Sequence, residues 1–139
     1  MKKYFYSVLV MALFAIGFAA SDDSESSVGD VPETMEAISA ESMLSDLEKN
    51  QMRAQKKYKG NWYEISGKLG NMDSDGDYFS LEGDGFRMID VHCKLPGNKK
   101  EELTKKLLNM ENGDHVTVKG KVTDVGEVMG FRVTVDDLH

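Results

Sequence analysis

The segment Ile89–Met110, IDVHCKLPGNKKEELTKKLLNM, changes its hydrophobic period halfway along. Ile89, Val91, Cys93 and Leu95 alternate with Met88, Asp90, His92 and Lys94, the period-2 pattern of a strand that buries one face. Pro96-Gly97 breaks that pattern. Leu103, Leu107 and Met110 then recur at spacings of four and three, the apolar stripe of an amphipathic helix. Asn98 with Glu101 three residues on predicts a capping pair at the helix start, and Gly113 marks its close.

The flanks decide what this strand-then-helix belongs to. Upstream, Tyr63, Ile65, Gly67 and Leu69 alternate with Trp62, Glu64, Ser66 and Lys68. A second strand follows, with Phe79 and Leu81 expected inward and Tyr78, Ser80 and Glu82 outward, and Gly83-Asp-Gly85 turns it into the third. Downstream, Val116, Val118, Gly120 and Val122 alternate with His115, Thr117, Lys119 and Lys121. After a turn near Gly126, Phe131, Val133 and Val135 alternate with Arg132, Thr134 and Asp136. Five strands with a helix between the third and fourth predict a mainly β fold, the five-stranded OB-fold barrel. Gly67 and Gly120 fit strand positions where a small barrel bends sharply.

Before the barrel, the pattern predicts an N-terminal helix over 39–58. Ser39 suits its N-cap, Ile38 can staple onto Met43, and Leu44, Leu47, Ala54 and Tyr58 form its stripe, interrupted by Gln51. Acids lie early and bases late, as the helix dipole favours. The domain therefore spans 38–139. Residues 20–37, acidic and carrying Gly29 and Pro32, read as a disordered linker. Residues 1–19 read as a signal peptide: Lys2 and Lys3, an apolar run from Phe5 to Phe18, and small Gly17 and Ala19 before the cleavage point. The chain is expected to be exported, periplasmic or secreted. No cysteine lies near that point, so no lipid anchor is expected there. The lone Cys93 allows no intramolecular disulfide, so stability must come from an apolar core.

Charge is segregated. From Asp22 to Glu48 there are nine acids and no base, and then Lys49, Arg53, Lys56 and Lys57 form a basic cluster. The formal charge of the 139 residues is −7, and without Lys2 and Lys3 it is −9, which opposes binding of a polyanion overall.

Four features together resemble the tRNA_anti-like OB-fold family of small exported or lipid-anchored bacterial proteins. They are Tyr58-Lys-Gly60 closing the helix, the Gly67-x-Leu69 step, Val91-x-Cys93, and Gly113-Asp-x-Val-x-Val-x-Gly120. The resemblance covers roughly residues 38–139 and implies a fold, not an activity. Many members carry a second cysteine near the end of the last strand, where this chain has Asp136-Asp137, and many carry a lipobox cysteine that this chain lacks.

Two places could bind something. Asp73, Asp75 and Asp77 take positions 1, 3 and 5 of a calcium loop, but Tyr78 stands at position 6, where glycine is needed, and Asp84 at position 12, where Glu is needed. A turn with Gly76 at its tip is expected instead, leaving the three acids as weak calcium candidates. The outward parity of the strands assembles a ligand-binding face from Trp62, Tyr78, Met88, His92 and Arg132. Aromatics beside bases suit single-stranded nucleic acid, yet Glu64, Glu82, Asp90 and Asp136 share that parity and oppose phosphate. His92, His115 and His139 have no triad or metal spacing, no nucleophile motif is present and nothing calls for a cofactor. The sequence therefore predicts a non-enzymatic exported binding module for a protein, peptide or glycan of the cell envelope. Single-stranded nucleic acid is the alternative and weak calcium binding a second.

Overall fold

The computed structural model describes residues 31–139 apart from Phe86 and Glu127, so the expected leader and most of the expected linker lie outside the described residues. Ten elements follow: strand β1 (Glu36–Ser39), helices α1 (Ala40–Lys49) and α2 (Gln51–Tyr58), strands β2 (Trp62–Met72), β3 (Tyr78–Glu82) and β4 (Asp90–Lys94), a 3-10 turn (Gly97–Lys99), helix α3 (Lys100–Leu107), and strands β5 (His115–Gly126) and β6 (Gly130–Leu138). Strand order is β1-β2-β3-β4-β6-β5, and β5 also pairs with β2, which closes five strands into a barrel. The fold is an OB-fold with one extra strand.

The barrel closes because β2 serves two neighbours. Its first half, Trp62–Lys68, runs antiparallel to β5, and its far end, from Lys68 to Met72, pairs with β3. β1 fills the edge left free beside the first half, in parallel register with Tyr63–Ser66. This corrects the expected linker boundary at residue 37. Four residues flanked by polar sequence carry no readable period, and parallel pairing with β2 makes them a strand.

Inward positions match the expected alternation. Tyr63, Ile65, Leu69, Phe79, Leu81, Val91, Cys93, Val116, Val118, Val122, Phe131, Val133 and Val135 are buried in one core. Every buried apolar residue of the described chain lies between Ala40 and Leu138, so the unit Glu33–His139 carries its own core. Gly67 and Gly120 stand where another element comes close: an added Cβ would sit 2.9 Å from Ala40 Cβ and 2.6 Å from Thr134 O, respectively.

Three expectations change. The 39–58 helix is two helices, because Asn50 leaves helical geometry (φ −164°, ψ 102°) and its side chain accepts from Arg53 N. Ser39 does cap α1, accepting from Ser42 N at 3.0 Å. Ser80 keeps its outward parity but is buried. A bulge in β2 between Leu69 and Met72 lays the backbone over it, and Asn71 N donates to Ser80 Oγ at 3.0 Å. The Asn98–Glu101 capping pair does not form. The 3-10 turn leads directly into α3, with Lys99 at the cap position and no side-chain cap bond.

The helices close the two ends of the barrel. α1 touches β2, β3, β4 and β6, and α2 packs on β5. Tyr58 seats this plug: its ring lies 5.2 Å from both Tyr63 and Phe131, and its hydroxyl donates to Asp46 Oδ2 at 2.5 Å. Arg87 clamps α1 to the β3–β4 loop, donating from Nη1 and Nη2 to the two Glu41 oxygens at 2.6 and 2.8 Å. Asp84 N donates to the same carboxylate at 2.8 Å. Arg87 Nε lies 3.2 Å from Glu48 Oε1, close enough for attraction but off the hydrogen-bond line. These donors, Arg87 above all, hold the Glu41 carboxyl down at about 2. At the other end, the 3-10 turn and α3 are tied to β6 by Lys99–Asp136 and Lys106–Asp137, respectively, both 2.6 Å.

Candidate binding face

Three neighbouring strands place the exposed polar row. In the β3–β4 register Ser80 faces His92 and Tyr78 faces Lys94, so Tyr78 and His92 are diagonal neighbours within reach of one another's rings. Their rings stack at 4.6 Å between centroids and 29° between planes, with Tyr78 still 39% exposed. On the other side of β4, parallel pairing sets His92 beside Arg132 of β6. Tyr78, His92 and Arg132 therefore form one row across β3, β4 and β6.

Acids and apolar side chains border this row. Asp90 precedes His92 on the same side of β4, and burial raises its carboxyl while the His92 charge opposes the rise and Glu82 adds to it. Met88 is 87% exposed just before β4. Asp90 pairs with Gly130, so the hairpin before β6 comes alongside the loop before β4 and adds Val128 and Met129, both exposed. Sequence reasoning missed these two. An apolar pair between Gly126 and Gly130 was the available signal, hidden because turn residues have no inward or outward parity.

Trp62 does not join the group. It pairs with Lys121 on β5, since only the far half of β2 reaches β3. Outward parity was correct for it, but parity does not say which neighbour a strand has. His115 and His139 are exposed and separate from the row. Cys93 is fully buried, which pushes its thiol well above the usual range, so it packs as a small apolar residue.

The Asp73 loop is a β-turn that closes the β2–β3 hairpin. Gly76 N donates to Asp73 O at 3.0 Å with Gly76 at φ +78°, Asp77 N donates to Asp73 Oδ2 at 3.1 Å, and Asp73 N donates to Tyr78 O at 2.9 Å. Oxygens of Asp73, Asp75 and Asp77 do come within 4.8 Å of one another. However, Tyr78 begins β3, and that strand carries Asp84 to the opposite end of the barrel. Lys100 of α3 already pairs with Asp77 at 2.7 Å, and this carboxylate raises the ammonium. The loop thus gathers three acids without the later ligands of a calcium loop.

Solved structures share the fold. A lipoprotein of Klebsiella pneumoniae, named as a candidate nucleic acid-binding protein, aligns at 17% identity and a TM-score of 0.54, over 74% of this chain and 92% of that one. A candidate aspartyl-tRNA synthetase from Leishmania major aligns at 14% identity and a TM-score of 0.53, over 93% of this chain but only 25% of that one. A chain of the S. pombe Stn1-ten1 complex aligns at 17% identity and a TM-score of 0.43, over 56% of each chain, so this protein spans little more than half of that relative's length. No curated protein matches the sequence. At these identities the likeness is one of fold. The family match is broader, extending over residues 1–132, and the chain belongs to the tRNA_anti-like family of OB-fold binding domains.

Proposed function

We propose that this OB-fold binding domain is an exported, non-enzymatic module that takes a protein or peptide, or a glycan, of the cell envelope on the β3–β4–β6 face. The observation that carries the reading is the open Tyr78–His92 stack, a flat aromatic platform on the strands where OB-folds bind. Met88 and Met129 add flexible thioether side chains at one end of it, which adapt to irregular apolar partners. Asp90, Glu82 and the Asp73 loop surround the platform with negative charge, favouring a neutral or basic ligand over phosphate. Export follows from the leader-like residues 1–19, and intact mass of the exported protein should lack them.

Single-stranded nucleic acid is the second reading, favoured by Arg132 and Lys94 beside the same stack. Titration of labelled single-stranded RNA and DNA separates the two. Negligible binding at physiological salt is expected. Submicromolar, salt-sensitive binding that weakens in Arg132→Ala would replace the first reading by the second.

A further inference from the structure

A second face of the barrel has the opposite charge. Between Lys49 and Tyr63 the sequence holds five cations and no acid. Ala54 and Tyr58 bury one side of α2, which leaves Met52, Arg53 and Lys56 exposed, Met52 to 77%. The chain then runs along β5: Gly60 N donates to Val122 O at 2.7 Å and Val122 N to Asn61 O at 2.9 Å. That pairing sets half-buried Trp62 beside Lys121, its cross-strand partner, and Lys59 near Asp124. Among the described residues Arg53, Lys56 and Lys121 enter no ion pair, and Lys59 reaches Asp124 only at 3.9 Å between exposed side chains. The acidic Asp73 loop lies at the other end of β2, eleven residues and about 35 Å along the strand. On this side Glu64 faces Lys119 and Asp124 faces Lys59, so the cations Arg53, Lys56, Lys59, Lys119 and Lys121 outnumber the acids.

We infer that this α2–β2–β5 face docks on an anionic phospholipid surface, with Met52 and Trp62 entering the headgroup layer between the cations. The inference goes beyond the ligand-binding face, which lies on other strands. Three observations favour a lipid surface over a nucleic-acid strand. First, four of the five cations from Lys49 to Lys59 are lysines, which act as point charges and lack the planar fork with which arginine reads phosphates and stacks on bases. Second, the face has one aromatic, Trp62, where a strand needs a row of stacking platforms. Third, the hollow beside Arg53 is small, about 130 Å³, bounded by Asp46, Arg53, Ala54 and Lys57, with a carboxylate in its wall. A surface of convex helix with cations around apolar side chains is the chemistry that lies on a charged bilayer.

Trp62 is the only tryptophan of the chain and reports on this face directly. Residues 33–139, which carry their own core, are mixed with vesicles of phosphatidylglycerol and phosphatidylcholine, or of phosphatidylcholine alone. Trp62 emission is expected to shift to the blue with the anionic vesicles at low salt and to return at high salt, with no shift on the neutral ones. Each neutralisation, Arg53→Gln, Lys56→Gln or Lys121→Gln, is expected to weaken vesicle affinity about five-fold. Met52→Ala, which changes no charge, should weaken it while leaving the melting temperature unchanged. No shift on anionic vesicles, or an equal shift on neutral ones, overturns the inference. So does tighter, Lys56-dependent binding of a single-stranded oligonucleotide, which would make the face a nucleic-acid site.

Discussion

Tyr78 and His92 meet because of register, not burial. The β3–β4 pairing fixes their diagonal, and the stack keeps one ring face open to solvent. Removing either ring should therefore cost the barrel little. Tyr78→Ala and His92→Ala are each expected to melt within a few degrees of the parent, as surface changes of about 0.5 kcal/mol do, and unfolding of either would show the faces to be reversed. Glu41 is the opposite case, a carboxylate whose bonds to Arg87 and Asp84 N exist only in the fold. Its folded value of about 2 lies below the ordinary 4.5, so its stabilisation is complete above pH 4.5 and is lost as the pH falls toward 2. Thermal melts across that range should show a shallower acid decline for Glu41→Gln than for the parent. An unchanged acid limb would remove the clamp from the account. The pairing was not legible in the sequence, since Glu41 and Arg87 are 46 residues apart and nothing local couples them.

Among the elements, the five barrel strands were legible because each buries one face and so keeps a period of two. What failed was everything that period does not encode. β1 is too short to have one, the bulge at Gly70-Asn71 covers Ser80 on its outward side, and Trp62 has the right parity on the wrong neighbour. The helix stripe from Leu44 to Tyr58 was readable, and Gln51 marks where Asn50 breaks it. Gly130 tests the join of β4 to β6. It has φ +87°, and an added Cβ would sit 2.1 Å from Asp90 O. Gly130→Ala is expected to destabilise by at least about 2 kcal/mol in urea unfolding, whereas a neutral effect would mean that the strands do not approach as described. The β2–β3 turn makes a separate prediction. Because β3 carries Asp84 away from Asp73, calorimetry should find no calcium binding tighter than about 10⁻⁴ M. A micromolar site lost in Asp75→Ala would contradict the turn's geometry.

At the scale of the molecule, two charged faces share one small barrel. The β3–β4–β6 face is aromatic, thioether-bearing and bordered by acids, while α2 and β5 carry Arg53, Lys56 and Lys121, which enter no ion pair among the described residues. The family fixes the fold and leaves the ligand to the surface, so the central claim rests on the Tyr78–His92 platform. Its most direct test is affinity capture from envelope extract, comparing the parent with the Tyr78→Ala, His92→Ala double variant and identifying what each retains by mass spectrometry. An envelope protein or glycan retained by the parent, resistant to nuclease and lost from the double variant, is expected. Recovery of RNA, or the same proteins on both, would contradict the claim.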